Sequence, residues 1–348
     1  MSSFPTSLSS PTVPQHSATP FSTLHPDIIQ TNIFTRLDGP TLAAAACASS
    51  ELYFLSTEEK LWRNICNSTW PSINDPRISH VISTFSAGYR SFFSDSFPVL
   101  DHQQSLKHNL DFSSIITTEL ISCVDIYYKN SLIISKTQEI ETVTGWFLCS
   151  PFRVDLFDLK ESVLTPIEHG GLGDTWLNDI EENLTLSWIL INPVQKQSVN
   201  LSSGRAVSVE RHWLTGEIQA RFATILAGDE RSETEFVKCE VVVTCGGKEG
   251  GDVHVREVSL QVEDMEGRNL SGRDSLVILE KAMENGRRKR GNGKEGKKKY
   301  EEFVERKRER RERKQRRERS LDMACIATGV SIFLAIWSFV LFSCTETR

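Results

Sequence analysis

Residues Ala324 to Ser343 (ACIATGVSIFLAIWSFVLFS) form an uncharged apolar run in an otherwise polar chain, and this run constrains everything else. Its twenty residues, at about 1.5 Å rise each, span about 30 Å as a helix, the thickness of a bilayer's hydrocarbon core. Ten of them are Ile, Leu, Val or Phe. At roughly 0.3–0.6 kcal/mol each, they favour insertion by about 3–6 kcal/mol. A buried helix of a soluble protein would normally keep a polar face, which this segment lacks. The expected anchor residues are Ala324 at the boundary and Ile332, Phe333, Leu334, Ile336, Trp337, Phe339, Leu341 and Phe342 within it.

Flanking charge sets the expected orientation, because Lys and Arg stay on the cytosolic side. Ten basic residues lie between Arg306 and Arg319, against Arg348 alone on the far side. The reading is a single-pass, tail-anchored protein with a cytosolic body and N-terminus, on an endomembrane such as the endoplasmic reticulum. Residues 1–23 are rich in Ser, Thr and Pro and lack the basic and apolar regions of a signal peptide, so they read as a disordered arm.

Charge is divided unevenly along the 348 residues. Positions 287–319 hold 18 Lys and Arg against 7 Asp and Glu, leaving 22 against 39 elsewhere. An acidic body disfavours nucleic acid as a partner. The eight cysteines are scattered. Cys239 and Cys245, the one close pair, lack the C-x-x-C spacing of a zinc or redox site, so reduced thiols and no metal or cofactor are expected.

Residues 25–66 read as a cluster of short amphipathic helices. Pro26 opens the first, in which Ile28, Ile29, Ile33, Phe34 and Leu37 recur at near-helical spacing. Gly39-Pro40 ends it and starts the Ala-rich second, Leu42 to Ala48. A third follows Ser56-Thr57-Glu58-Glu59, a capping-box pattern, and presents Leu61, Trp62 and Ile65 on one stripe. About forty residues bury little apolar surface alone, so a partner is expected.

This stretch resembles the F-box, the motif through which substrate receptors dock on the Skp-type adaptor of cullin-RING ubiquitin ligases. The positions that carry the resemblance are Pro26, Ile29, Ile33, Phe34, Arg36 and Leu37, then Leu42 and Ala45, then Leu55 and Leu61-Trp62. The pattern departs at His25, Ala48-Ser49 and Leu52. Segments 69–98, 124–136, 145–155, 187–193 and 253–279 extend the similarity to plant F-box proteins that also end in a hydrophobic anchor. The resemblance implies an adaptor-binding set of Pro26, Ile29, Ile33, Phe34, Leu37, Leu42, Leu61 and Trp62. It also implies a cullin scaffold as partner and a protein substrate of unknown identity.

Residues 120–280 alternate short β-prone runs with turns, including Val124–Tyr128, Trp146–Leu148, Phe152–Phe157, Leu184–Ile191, Ile218–Leu226, Val237–Val243, Val253–Val262 and Leu276–Leu279. Asp125 with Tyr127, and His254 with Arg256, read as wet faces of half-buried strands. An antiparallel sandwich is expected. No Gly-x-Ser-x-Gly, His-Glu-x-x-His, Walker or Gly-x-Gly-x-x-Gly pattern occurs. Gly171-Leu172-Gly173 reads as a plain loop. His212-Trp213, near Arg205 and Arg211, reads as packing and surface residues. Glu181-Glu182, Asp264 and Glu266 read as solvated.

The basic stretch divides into a Gly-interrupted linker and an exposed helix expected to lie over anionic headgroups, at about 1 kcal/mol per basic residue near the surface. Nuclear localisation through RRKR is the rival reading. The expected fold class is α+β. Its parts are an arm (1–23), an F-box (24–67), a helical or irregular connector (68–119), and an antiparallel β-rich substrate-binding domain (120–284). A linker (285–299), a basic helix (300–320) and a single transmembrane helix (324–343) complete it. The favoured function is a non-catalytic, membrane-anchored substrate receptor bound to lipid through its anchor. The alternative is a membrane-anchored binding or lectin-like module that no longer recruits a ligase.

Overall fold

In a computed structural model of the chain, the described residues are 24–97, 99–101, 117–158, 160–170, 173–228, 235–247, 250–289 and 293–346. The expected N-terminal arm lies outside them. The chain divides into two compact units, residues 1–65 and 66–348.

In the first unit, α1 (Pro26–Ile28) passes into a π turn (Ile29–Ile33) and a 3-10 turn (Phe34–Arg36). Five β-branched residues between Ile28 and Thr35 crowd the helix, and Thr31 and Thr35 each donate to the carbonyl four residues back, at 2.6 Å. The single first helix expected from spacing is therefore three short turns. Helix α2 (Gly39–Ala46) starts on an Asp38 cap that accepts from Thr41 N at 2.9 Å. Helices α3 (Ser50–Ser56) and α4 (Glu59–Thr69) follow. Ser56 does not play the capping role read from its sequence. Its hydroxyl donates to Tyr53 O at 2.7 Å and its carbonyl accepts Trp62 Nε1 at 2.7 Å.

The second unit begins with a helical layer: a 3-10 turn (Pro71–Asn74), α5 (Pro76–Ser83) and α6 (Gly88–Ser96). Trp70, Ile73, Ile78, Ile82, Phe85, Tyr89 and Phe92 are buried, with Trp70 edge-on to Phe92 at 5.7 Å. Strand β1 (Val99–Asp101) follows.

The β-domain runs β2 (Glu119–Tyr128), β3 (Ser131–Glu141), α7 (Gly145–Cys149), β4 (Arg153–Asp155), β5 (Val163–Glu168), α8 (Asp174–Asn183) and β6 (Leu184–Asn192). It continues through β7 (Gln197–Asn200), β8 (Gly204–Arg205), β9 (Ser208–Arg211), β10 (Ile218–Ala227), β11 (Phe236–Gly247), β12 (Asp252–Asp264), α9 (Gly272–Asn285) and β13 (Arg287–Lys289). Helix α10 (Gly293–Glu346) ends the described chain.

Among the described residues the strands make a six-stranded sheet, β4-β12-β11-β10-β9 with β5 on β12, and a five-stranded sheet, β3-β2-β6-β7 with β8 on β6. All pairings are antiparallel, and β1 pairs with β13. One core draws on both sheets and on α8 and α9: Val124, Ile126, Trp188, Leu190, Phe222, Val241, Val258, Leu260, Ile180 and Leu279. Val253 and Val255 face that core while Arg256 is exposed, as their alternation implies.

Two β-prone runs fold as helices. Thr144 caps α7 by accepting from Phe147 N at 3.2 Å, which turns Trp146–Leu148 into a helical turn. Ser271 caps α9, and Ser275, Ile278, Leu279 and Met283 are buried at helical spacing, so Leu276–Leu279 is helical despite its β-branched content. Gly173, read as part of a plain loop, stands at the N-cap of α8 and so opens a helix.

Asp125 is also placed differently from its expected wet face. The 3-10 turn covers that side of β2, and Asp125 is fully buried. Its carboxyl accepts from Ser72 N (2.9 Å), Ser72 Oγ (2.6 Å) and Ser135 Oγ (2.7 Å). Burial raises its pKa, partly offset by the Ser72 and Ser135 hydrogen bonds. The folded state thus holds this proton to higher pH than the unfolded chain does. Stability should fall as pH rises from the ordinary carboxylate range through the folded pKa. Asp125→Ala strands the Ser72 amide and is expected to cost about 3 kcal/mol. Denaturant titration across pH checks both: the variant should be less stable and lose the slope that Asp125 contributes.

Candidate functional site

The N-terminal unit sorts the eight adaptor-binding candidates by exposure. Ile29, Phe34, Leu42, Leu61 and Trp62 are buried. Pro26 is exposed, and Ile33 and Leu37 are half-buried. Gln30 Nε2 donates to Leu55 O at 3.1 Å, which ties the first turns to α3. Around this junction the exposed apolar residues are Leu24, Ile28, Tyr53 and Phe54, the last 77% exposed. Helical spacing identifies the apolar residues here but cannot separate core from surface. Phe54 was the missed signal, a large aromatic one position off the Leu55 stripe.

The β-domain presents a second exposed aromatic. Trp213 is 88% exposed and Leu214 70%, in the turn between β9 and β10. That turn is closed by His212 N to Glu217 O (2.7 Å) and Gly216 N to His212 O (2.9 Å). His212 Nδ1 contacts the Thr215 hydroxyl at 3.1 Å, and Gly216 supplies the positive φ of 72° that the turn requires. His212 therefore shapes the turn, while Trp213 is held in solvent. Arg211 instead lies over the Trp176 ring, 5.9 Å from its centroid.

Cys239 and Cys245 both lie buried on β11, where burial pushes their thiols up to about 12. Of the acids read as solvated, Glu266 is exposed as expected, while Asp264 and Glu181 have structural duties. Asp264 is buried and accepts from the Glu266 and Arg268 amides at 2.8 and 2.9 Å. Glu181 pairs with Lys297.

Helix α10 joins the basic and apolar segments without a break, since no Gly or Pro lies between Tyr300 and Gly329. Residues 287–289, read as linker, are strand β13, and the helix begins at Gly293. Its first part is not a free headgroup-binding helix but docks on the six-stranded sheet. Phe303 is buried with Ile225, Met265 and Phe236. Lys307 pairs with Glu263, which also meets Lys238 at 3.1 Å, and Lys238 meets Glu240 at 2.9 Å. Glu240 and Glu263 hold Lys238 charged against its burial, and Lys238 and Lys307 lower the Glu263 pKa. Arg310 pairs with Glu235 at 2.8 Å. Phe303→Ala should weaken this docking by about 3 kcal/mol. Limited trypsin digestion checks it: cuts between Lys297 and Arg310 should appear early in the variant and late in the parent.

Beyond Arg310 the helix is exposed up to Ser338, including Ile326, Val330, Ile332, Phe333, Leu334, Ile336 and Trp337. One helix, Glu295–Ser338 in its described extent, is long and apolar enough to cross a membrane. Phe339, Leu341 and Phe342 continue it in backbone, with side chains outside the described residues.

Sequence comparison decides the family. The chain is 48% identical over 335 residues to F-box protein At2g27310 of Arabidopsis thaliana, covering 92% of this chain and 96% of that one. The chain belongs to the plant F-box protein family. F-box protein At3g44326 of the same plant is 47% identical over 79% of this chain and 77% of its own length. Probable F-box protein At2g36090 is 45% identical over 92% and 93%. No family model and no solved structure matches the chain.

Proposed function

We propose that this F-box protein is a membrane-anchored, non-catalytic substrate receptor of a cullin-RING ubiquitin ligase. The observation that carries the reading is the 48% identity to an F-box protein across 92% of the chain. Residues 24–65 dock the Skp-type adaptor and, through it, the cullin scaffold. Contact falls to the accessible members of the set, Pro26, Ile33 and Leu37, with Ile28 and Phe54, while the buried members hold the unit's shape. The β-domain takes the target protein, and the ordered Trp213 turn is its best-presented contact, since exposed aromatics anchor interfaces. Helix α10 crosses the bilayer with the chain before Ala324 on the cytosolic side, on an endomembrane such as the endoplasmic reticulum. Anchoring raises the effective concentration of membrane-bound targets near the ligase.

Immunoprecipitates of the full-length protein, supplied with ubiquitin, activating and conjugating enzymes and ATP, should build ubiquitin chains. An Ile33→Ala/Leu37→Ala variant should not. Inactive parent precipitates alongside an active control F-box protein would contradict the reading. The second reading, a binding module that no longer recruits a ligase, draws on the burial of Ile29, Phe34, Leu42, Leu61 and Trp62, five of the eight adaptor candidates.

A further inference from the structure

The basic residues of α10 have two different fates. Upstream, Lys297, Lys307 and Arg310 are neutralised by Glu181, Glu263 and Glu235 of the β-domain. In the next turns Arg313 pairs with Glu309 (3.1 Å) and Arg316 with Glu312 (3.3 Å) along the helix. Arg311, Lys314, Arg317 and Arg319 are exposed and make no ion pair among the described residues.

Helix geometry separates these four by height. With Ala324 at the hydrocarbon boundary and about 1.5 Å per residue, Arg319 stands about 7 Å above it, Arg317 about 10 Å, Lys314 about 15 Å and Arg311 about 20 Å. The headgroup layer is about 6 Å deep, half the difference between the whole bilayer and its hydrocarbon core. Arg319 and Arg317 reach it with their side chains, and Lys314 stands about one Debye length above it. Arg311 lies well outside that range. Glu318 and Asp322 share the band and subtract from the attraction, and the three cations Lys314, Arg317 and Arg319 outnumber them. An average helix tilt of about 20° lowers these heights by only a few per cent.

We propose that Lys314, Arg317 and Arg319 form a collar that binds anionic phospholipid headgroups, distinct from the upstream basic residues that bind the protein's own β-domain. The proposal rests on the reading that α10 spans the bilayer. Docking of residues 297–310 holds the collar in place, since the helix runs unbroken from the docked segment to the anchor. Of the basic stretch as a whole, only the last third serves the membrane surface.

The test uses full-length protein in nanodiscs of phosphatidylcholine with a minority of phosphatidylserine, and native mass spectrometry of the lipids it retains. The parent should retain a several-fold excess of phosphatidylserine over its share of the bilayer. Lys314→Gln/Arg317→Gln/Arg319→Gln should bring the ratio to the bulk value, and Arg311→Gln should leave it as in the parent. A triple variant with the parental excess, a parent with no excess, or an Arg311→Gln loss equal to the triple variant's would overturn the collar. Failure of the parent to enter nanodiscs would instead overturn the membrane-spanning reading beneath it.

Discussion

Removing residues 321–348 is expected to shift the protein wholly from the carbonate-resistant membrane pellet to the soluble fraction. The segment carries ten Ile, Leu, Val and Phe residues between Ala324 and Ser343, for an insertion gain of about 3–6 kcal/mol with no charge to offset it. No competing use for that surface exists within the described chain. Ile326, Phe333 and Trp337 are 61%, 63% and 57% exposed, whereas a core helix would bury one face. On the proposed orientation, with the basic flank on the cytosolic side, intact membranes should leave a tag at residue 1 open to protease. The truncated protein should keep Lys297, Lys307 and Arg310 docked on the β-domain, so trypsin should still spare that segment. Full-length protein in the carbonate supernatant would contradict the anchor.

Adaptor capture should respond to exposure rather than to hydrophobicity as such. Central apolar contacts often lose about 2 kcal/mol or more on truncation to alanine. Phe54, 77% exposed, and Ile28, 44% exposed, are accessible for such contacts, and half-buried Ile33 and Leu37 follow Ile28 in sequence. The variants Ile33→Ala/Leu37→Ala and Ile28→Ala/Phe54→Ala should each lower adaptor affinity by about tenfold to a hundredfold or more, with helical circular dichroism retained. Trp62→Ala should behave differently. It removes a buried ring and the Nε1 bond to Ser56 O, at a cost of about 3–5 kcal/mol in stability. Isothermal titration with purified adaptor, beside thermal unfolding, separates the two classes. Equal binding loss in all three variants with equal loss of stability would show that one merged core, not a contact face, had been cut.

Local pattern made the larger elements legible. The alternation in Val253–Val262 gave β12, and the composition of 324–343 gave the apolar half of α10. What sequence could not supply was the identity of the covering layer. Asp125 has the spacing of a solvent-facing residue, but Ser72, in a 3-10 turn fifty-three residues upstream, lies on that face and buries it. Lys307 has the composition of a surface cation, but Glu263, forty-four residues away, claims it. Trp146 and Leu276–Leu279 have β-prone side chains, and the caps at Thr144 and Ser271 overrode them. In the N-terminal unit, spacing placed the apolar residues but not the boundary between the buried Trp62 and the exposed Phe54. In each case the deciding contact is non-local or the signal is one capping residue, and hydrophobic period is blind to both.

In the proposed function, one chain joins a membrane to a ubiquitin-ligase adaptor. Its most direct test is size-exclusion chromatography of the detergent-solubilised full-length protein mixed with purified Skp-type adaptor and cullin. A single co-eluting complex should contain all three and be lost on Ile33→Ala/Leu37→Ala. Elution of the full-length protein apart from both partners, under conditions where a control F-box protein assembles, would contradict it.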